Sequence, residues 1–334
     1  MQRRGFLTAM AAQAVRFGPM KLGIDLFSIR SQGWSPFEYL DYCAKWKARV
    51  VHFSEIRFLG SLEPDHLKKV REHATRLGIE LEIGMRSLSR NSKYFDAKQG
   101  TAEEQLFRMI EAAQVIGSTI VRAFLGMSED RKSPGGIEGH IEEVARVLRA
   151  GRSRARDAGV KIAIENHAGD MQGRELKTLI EEAGRDFTGA CIDSGNPLWV
   201  LEDPHRTLEV LHPYVLTSHV RDTAVWRVPE GVAVRWVRMG EGNVGIDEWV
   251  RKYLELCPGK ALSLEIIVTP QPRVFRVFDP AFWDGYRNVP AWEFSRFLAI
   301  AERGKPVPGT PVPRDQQAAR ERDDLEAGVK YLAG

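Results

Sequence analysis

Residues 161–167 read KIAIENH, a short β-rich run that is one of eight in the chain of 334 residues. Segments in which apolar residues recur at helical spacing lie between these runs, and glycines stand where the helices are expected to end. Strands that alternate with helices form a parallel sheet, and eight such units in one chain favour a closed sheet. The sequence therefore predicts an α/β fold, a (β/α)8 TIM barrel. The other seven runs lie at 21–29, 50–56, 79–85, 119–125, 189–195, 216–222 and 261–267.

The length of the chain is compatible with two domains, but the repeat of strand and helix predicts one. We expect a catalytic barrel domain over residues 20–304, preceded by a leader-like extension over 1–19. Residues 305–334 read as a Pro-rich connector and a polar C-terminal helix, either a solvated surface helix or a dimer contact. Arg3 and Arg4 precede an apolar, alanine-rich stretch and resemble a twin-arginine export leader. The sequence leaves open whether the protein is cytoplasmic or exported to the periplasm.

The composition excludes several classes of function. Lys and Arg number 48 against 45 Asp and Glu, and without a long basic run neither nucleic acid nor an anionic membrane is expected as a partner. Three widely spaced cysteines exclude a disulfide framework and a cysteine-rich zinc site. No apolar run reaches the roughly 18 residues that a transmembrane helix needs. The near-neutral charge fits a small uncharged sugar or polyol as the substrate, and a homo-oligomer stays possible.

Four of the predicted strands carry a potential metal ligand near the carboxyl end. In each strand the residue two positions earlier is small, and side chains two apart share a face. The four ligands therefore point into the barrel in one consistent register. Three converging carboxylates repel one another unless a cation lies among them, so the set predicts a divalent ion such as Mn²⁺, Mg²⁺, Co²⁺ or Zn²⁺. The ligands are Glu165, Asp193, His219 and Glu265, above Ala163, Cys191, Thr217 and Ser263.

The motifs ENH, DSGN, SHVRD, GEGNV and SLE follow one another between residues 165 and 265. Their order resembles the xylose isomerase-like TIM-barrel superfamily, in its sugar phosphate isomerase/epimerase branch, over about residues 20–304. The resemblance implies one divalent metal ion, most often Mn²⁺, with Glu165 and Glu265 as the acid/base pair. It implies a sugar isomerase or epimerase that moves a proton through a metal-bound enediolate. The alternative is a metal-dependent dehydratase or lyase acting on a keto-sugar, a ketoglycoside or an inosose.

Further residues are expected to contact the substrate around this site. His167 and Arg221 lie two positions beyond a predicted ligand, hence on the same face but nearer the mouth of the barrel. The insertion 223–245 after the seventh strand reads as a hairpin or loop, and its Trp226 and Trp236 could form an aromatic wall. The resemblance places an acid of the second strand and the GEG loop beside the sugar. The expected substrate-binding residues are His167, Arg221, Glu55, Asn196, Glu241 and Trp226.

Three other functions are weaker interpretations. Gly240, Gly242 and Gly245 match the dinucleotide-binding pattern, but the acidic Glu241 between them would repel a pyrophosphate. An AP endonuclease of the same superfamily needs more histidines at strand ends, and Asn196 stands where such an enzyme would carry one. A non-catalytic sugar-binding protein is not expected to keep a complete set of metal ligands.

Overall fold

The computed structural model describes residues 16–334, so the leader-like extension predicted for residues 1–19 lies largely outside the described residues. The strands are β1 (Lys21–Asp25), β2 (Val50–Phe53), β3 (Glu80–Ser87), β4 (Ile120–Phe124), β5 (Lys161–Glu165), β6 (Thr188–Asp193), β7 (Val215–His219), β8 (Asp222–Val228), β9 (Gly231–Val237), β10 (Ala261–Leu264) and β11 (Arg273–Phe275). The helices are α1 (Pro36–Lys45), α2 (Ile56–Leu59), α3 (Pro64–Leu77), α4 (Ala102–Ile116), α5 (Gly136–Asp157), α6 (Gly173–Ala183), α7 (Pro204–Leu211), α8 (Ile246–Leu256), α9 (Ala291–Arg303) and α10 (Gln317–Ala333). In this part of the chain no helix is both long and apolar enough to cross a bilayer.

Eight parallel strands form the barrel in the order β10-β1-β2-β3-β4-β5-β6-β7. The barrel closes between β7 and β10. The hydrogen bonds that close it are made by residues of these two strands and by the residues that directly follow them. Val220 N donates to Ser263 O at 2.7 Å, Glu265 N donates to Val220 O at 3.1 Å, and Ser218 Oγ donates to Ala261 O at 2.8 Å. The predicted (β/α)8 barrel is confirmed, and each of the eight predicted runs overlaps one of its strands.

Close packing inside the barrel depends on small side chains on the inner face. Ala163, Cys191, Thr217 and Ser263, the residues two positions before the predicted ligands, are all fully buried. On β1 the position facing Ser263 is Gly23, where an added Cβ would lie 2.1 Å from the Ser263 hydroxyl oxygen. A glycine is therefore required for β1 and β10 to approach each other, and the layer beneath the strand ends is filled by small groups.

The insertion after β7 forms an antiparallel hairpin of β8 and β9, and β11 adds a third strand. Asp222, at the start of β8, accepts hydrogen bonds from Gly240 N at 2.9 Å and Gly242 N at 3.0 Å. A Cβ at Gly242 would lie 2.1 Å from the Asp222 carboxylate, so only glycine fits there. The glycine-rich loop thus encloses a carboxylate of its own chain and uses the amides that a dinucleotide would need.

The C-terminal helix α10 packs against the barrel, beside β10 and the short 3-10 helix Leu26–Ile29. Leu325, Val329 and Leu332 on its inner face are buried. Glu321 accepts hydrogen bonds from the backbone nitrogen and the hydroxyl of Ser31, both at 2.8 Å. The interpretation as a solvated surface helix therefore holds only for the outer face of α10. The preceding helix α9 packs against the hairpin of β8 and β9.

Truncation of Leu325 tests whether α10 is part of the folded core. Because Leu325 is fully buried, we expect Leu325→Ala to lower the free energy of unfolding by about 2–5 kcal/mol. Leu256→Ala on α8 is the matched control, since Leu256 is 38% exposed and its loss should change stability by less than about 0.5 kcal/mol. Urea denaturation of both variants provides the measurement. Equal stabilities would mean that α10 contributes nothing to the core.

Candidate active site

The four predicted ligands meet at the carboxyl ends of the barrel strands. Glu165, Asp193, His219 and Glu265 each offer one ligand atom, and these atoms lie within 4.8 Å of one another. The Nδ1 atom of His219 is 3.1 Å from a carboxylate oxygen of Glu165 and 3.2 Å from one of Glu265. All four residues are buried. We call this set the four-residue cluster.

The polar atoms of the cluster fit a metal ion. His219 Nδ1 is buried and has no hydrogen-bond partner among the described residues. Buried polar atoms of this kind normally have a partner, so this nitrogen calls for one. Three carboxylates and one imidazole nitrogen are ligands that Mn²⁺, Mg²⁺, Co²⁺ and Zn²⁺ accept. The cluster could therefore hold a divalent ion.

A second set of buried groups holds His219 from behind. Its Nε2 atom lies 3.2 Å from the Asp25 carboxylate and 2.8 Å from Nδ1 of His52. Asp25 itself accepts from Phe27 N at 2.7 Å and from the Ser54 hydroxyl at 2.9 Å. This arrangement directs Nδ1 of His219 toward the three carboxylates, as outer partners of metal-binding histidines do. The pKa of His52 falls to about 3 because burial disfavours its charged form.

Two buried arginines contact the carboxylates of the cluster. Arg122 on β4 donates from Nε to Glu165 at 2.5 Å, and Arg221 donates to Asp193 at 2.7 Å and contacts Glu265 as well. Burial alone would raise the pKa of Glu165, but the charges of Arg122 and His219 outweigh it and lower that pKa well below its usual value. For Asp193 burial prevails over the attraction of Arg221, and its pKa is raised.

The charges around the cluster are unbalanced by two. Four buried carboxylates, those of Asp25 and of the three acidic cluster members, face the two guanidinium groups of Arg122 and Arg221. Burial alone would lower the pKa of His219, but the negative charges around it outweigh burial and raise that pKa well above its usual value. A metal ion at Nδ1 would displace the proton of this ring, and with both histidines neutral two negative charges would have no positive partner among these groups. Because unpaired buried charges are strongly unfavourable, a divalent cation would complete the site. The charge balance agrees with the donor set.

A cavity of about 210 Å³ opens above the cluster, and we call it the active-site cavity. Glu265 borders it, whereas Glu165 lies beneath Arg122 and does not. Its wall contains Arg86, Tyr94, Phe124 and Ile267. It also contains four of the predicted substrate-binding residues and one tryptophan of the predicted aromatic wall. These five are Glu55, His167, Asn196, Arg221 and Trp236.

Several of these side chains are held in place by their neighbours. His167 stacks on Phe124 at 4.0 Å between ring centroids, and its Nδ1 lies 2.9 Å from the carbonyl oxygen of Gly126. Burial lowers the pKa of His167 to about 4, so its ring is neutral at pH 7. Asn196 donates to Glu165 at 3.1 Å, and its backbone nitrogen donates to Asp193 at 2.7 Å. Asn196 thereby connects two members of the cluster.

Two residues predicted to contact the substrate do not reach the active-site cavity. Trp226 pairs with Ala233 in the hairpin and packs with Ala224 and Val237, on the opposite face from Trp236. Strand alternation explains the difference, because Trp236 pairs with Thr223, an odd number of positions from Trp226. Glu241 is exposed and lines a separate cavity beside the C-terminal connector. Of the hairpin residues, Trp236 is the one beside the site.

The functional residues that sequence reasoning missed are Asp25, His52 and Arg86. Asp25 ends β1 just as Glu165 ends β5, so the strand-end rule that found the ligands applies to it too. His52 and Arg86 carry no such signal in the sequence. The importance of His52 comes from its contact across the barrel with His219, and that of Arg86 from its place in the cavity wall.

Comparisons with known proteins identify relatives of the chain. A family model described as xylose isomerase-like TIM barrel matches residues 40–275. The chain is 23% identical over 188 residues to 3-oxo-isoapionate decarboxylase of Pectobacterium atrosepticum, covering 56% of this chain and 61% of that protein. It spans about three fifths of the length of the curated relatives that it matches.

Solved structures share the fold at low sequence identity. D-psicose 3-epimerase, crystallised in the presence of D-fructose, superposes with a TM-score of 0.61 at 14% identity and covers 94% of this chain and 100% of its own. IOLI protein, whose structure contains a zinc atom, gives a TM-score of 0.57 at 16% identity, over 93% and 99% of the two chains. At these identities the likeness concerns the fold.

Removal of the carboxylate behind His219 tests the metal site. We expect Asp25→Asn to weaken Mn²⁺ binding about 10–100-fold, because the carboxylate fixes the orientation and basicity of the His219 ring. Asp41→Asn is the matched control, since Asp41 also pairs with a histidine, His73 at 2.7 Å, but on the surface. Titration with Mn²⁺ against a competing chelator gives the affinities, and circular dichroism checks the fold. An unchanged affinity in Asp25→Asn would contradict this role.

Proposed function

Because the chain belongs to the xylose isomerase-like TIM barrel family, we propose that it is a divalent-metal-dependent sugar isomerase or epimerase. The substrate in this proposal is a small carbohydrate with adjacent carbonyl and hydroxyl groups. The relatives described above include an epimerase and a decarboxylase, so a sugar-modifying enzyme agrees with both.

One observation carries the proposal: two glutamates approach the same nitrogen of His219. Glu165 arrives from β5 and Glu265 from the end of β10, and two barrel strands separate them. Carboxylates that reach one point from different directions can remove a proton from one face of a substrate and return it from another. The pair therefore supports chemistry at a carbon next to a carbonyl group.

The roles of the side chains follow from their positions. A divalent ion held by the four-residue cluster would supply Lewis-acid polarisation of the substrate carbonyl. Glu265, which borders the active-site cavity, removes the proton from the neighbouring carbon and leaves an enediolate. Arg221 stabilises the negative charge that develops on the substrate oxygens. Return of the proton to the same carbon from the other side gives an epimer, and return to the adjacent carbon gives an isomer.

The ion that we propose is Mn²⁺, with Mg²⁺, Co²⁺ and Zn²⁺ as alternatives. Three oxygen ligands and one imidazole nitrogen suit all four ions, and the zinc atom of IOLI protein supports a divalent ion in this fold. Elemental analysis of the purified protein identifies which ion the cluster retains.

A lyase is the second candidate, and the surroundings of Glu165 favour it. Arg122 and Asn196 both contact this carboxylate, which has no access to the active-site cavity. A single accessible base, Glu265, is sufficient for loss of a substituent from the enediolate, whereas epimerisation needs a second group to return the proton. The relative named 3-oxo-isoapionate decarboxylase supports loss of a group from the substrate.

An incubation in D₂O separates the two reactions. The Mn²⁺-loaded protein is given a panel of ketoses, ketoglycosides and inososes, and the products are analysed by NMR and mass spectrometry. An isomerase or epimerase incorporates one deuterium at a substrate carbon and otherwise leaves the composition unchanged. A lyase releases a product lighter by water or another leaving group. Failure of every substrate to exchange or react would contradict both candidates.

Neutralising either glutamate should stop the reaction. We expect Glu265→Gln and Glu165→Gln each to lower kcat on the true substrate by about 10²–10⁴. At Glu265 an amide cannot accept the substrate proton, and at Glu165 the proposed metal site loses a charged ligand. Asp193→Asn should mainly weaken metal retention. Glu230→Gln, at the exposed turn of the hairpin, is the control that should keep full activity. Assays at saturating Mn²⁺ separate loss of the base from loss of the ion. Full activity of metal-free Glu265→Gln would contradict the mechanism.

A further inference from the structure

We infer that the substrate is a sugar acid, a polyhydroxy compound with a single carboxylate, which Arg86 and Arg221 recognise in the active-site cavity. The inference rests on the proposed function, because it assigns the charge of the molecule on which the glutamates act. It departs from the uncharged sugar that the composition suggests.

The first observation is a surplus of hydrogen-bond donors in the cavity wall. Arg221 is 2% exposed, yet its Nε and Nη1 atoms have no hydrogen-bond partner among the described residues. The indole nitrogen of Trp236 is likewise buried without an acceptor, and the Arg221 guanidinium lies 4.6 Å from the centre of the Trp236 ring. Both side chains line the same cavity. Buried donors of this kind require acceptor atoms, which a carboxylate provides in pairs.

The second observation is the charge of the cavity. A divalent ion balances the cluster with Arg122 and Arg221, and the acidic Glu55 on the wall already contacts Arg57. Arg86 remains, and among the described residues no carboxylate lies within 4 Å of its guanidinium. Its nearest aromatic neighbour is Tyr94, at 5.6 Å from the ring centre. The cavity thus carries one positive charge without a partner, which fits a substrate with one negative charge.

The third observation is where Arg86 stands. It follows Glu82 and Gly84 at alternate positions of β3, and it is exposed at the mouth of the cavity. At Gly84 an added Cβ would lie 2.7 Å from the Ser54 carbonyl oxygen, so no side chain can stand between Glu82 and Arg86. A cation at the entrance attracts anions before they bind. Arg86 can therefore both draw in a sugar acid and pair with its carboxylate.

The charge favours a carboxylate over a phosphate ester. A phosphate monoester carries about −1.5 to −2 charges at pH 7, more than the single free cation balances. A planar carboxylate matches the fork of a guanidinium group in two parallel hydrogen bonds.

Calorimetric binding to the Mn²⁺-loaded protein tests the inference. The probes are D-gluconate, D-sorbitol and D-sorbitol 6-phosphate, three six-carbon polyol compounds. Gluconate carries a carboxylate at C1, sorbitol 6-phosphate carries a phosphate at C6, and sorbitol is uncharged. We expect gluconate to bind at least about 10-fold more tightly than sorbitol at low salt, and this preference to shrink as ionic strength rises. Sorbitol 6-phosphate should bind no more tightly than gluconate.

Variants at Arg86 separate its contribution from chelation of the ion by the sugar acid. In Arg86→Met the affinities for gluconate and sorbitol should come within about twofold of each other, and Arg86→Lys should restore part of the preference. Arg152→Met, an exposed arginine of α5 that pairs with Asp186, is the matched control and should behave as the unmodified protein. Undetectable binding of gluconate, tighter binding of sorbitol or of the phosphate, or a preference that survives in Arg86→Met would each overturn the inference.

The result is independent of the test of the proposed function. Deuterium exchange into neutral sugars alone would leave the isomerase or epimerase proposal standing and overturn the sugar acid. Binding of gluconate through Arg86, without exchange or reaction on any substrate, would preserve the sugar acid and contradict the proposed reaction.

Discussion

The structure depends on the confinement of four carboxylates at the buried mouth of the barrel. Like charges a few ångströms apart and shielded from water repel one another strongly, so each needs a partner of opposite charge. Arg122 and Arg221 supply two partners, and a divalent ion would supply the rest. The small side chains below the cluster and Gly23 on β1 allow the strands to approach closely enough to bring these groups together. The close packing of the strands therefore creates the concentration of negative charge that the arginines and the ion would balance.

The barrel and the four-residue cluster could be predicted from the sequence because both follow from local periodicity. Alternation along a strand sets which side chains face inward, and the carboxyl ends of parallel strands meet at one end of a barrel. Asp25 obeys the same rule and could have been found with it. His52 could not, because nothing near it in the chain indicates its neighbours, and Arg86 lies just beyond the predicted third run 79–85. His52 matters because β2 lies close to His219, which is 167 positions away in sequence.

Other features escaped prediction because they depend on the phase of a strand or on distant packing. Trp226 and Trp236 are equally plausible on paper, and only the register of the hairpin decides which one faces the cavity. That register depends on the geometry of the turn, which composition does not determine. The packing of α10 on the barrel is likewise not evident from its polar sequence. Its few apolar residues fall on one face, and that face packs against the barrel beside β10.

The surroundings of the two glutamates connect the charge of the substrate to the type of reaction. Glu165 is engaged by Arg122, whereas Glu265 borders the active-site cavity, so in the proposed reaction Glu165 would mainly bind the ion and Glu265 would meet the substrate. In a sugar acid the carboxylate paired with Arg86 lies at a fixed distance from the reacting carbonyl. A carboxylate two carbons from that carbonyl carbon can depart as CO₂, since the electrons of the broken C–C bond pass to the carbonyl oxygen. With the carboxylate farther along the chain, no such path exists, and proton transfer by Glu265 would lead to isomerisation. In the proposed sugar acid, the position of the carboxylate relative to the carbonyl would therefore decide between the two reactions that the family resemblance leaves open.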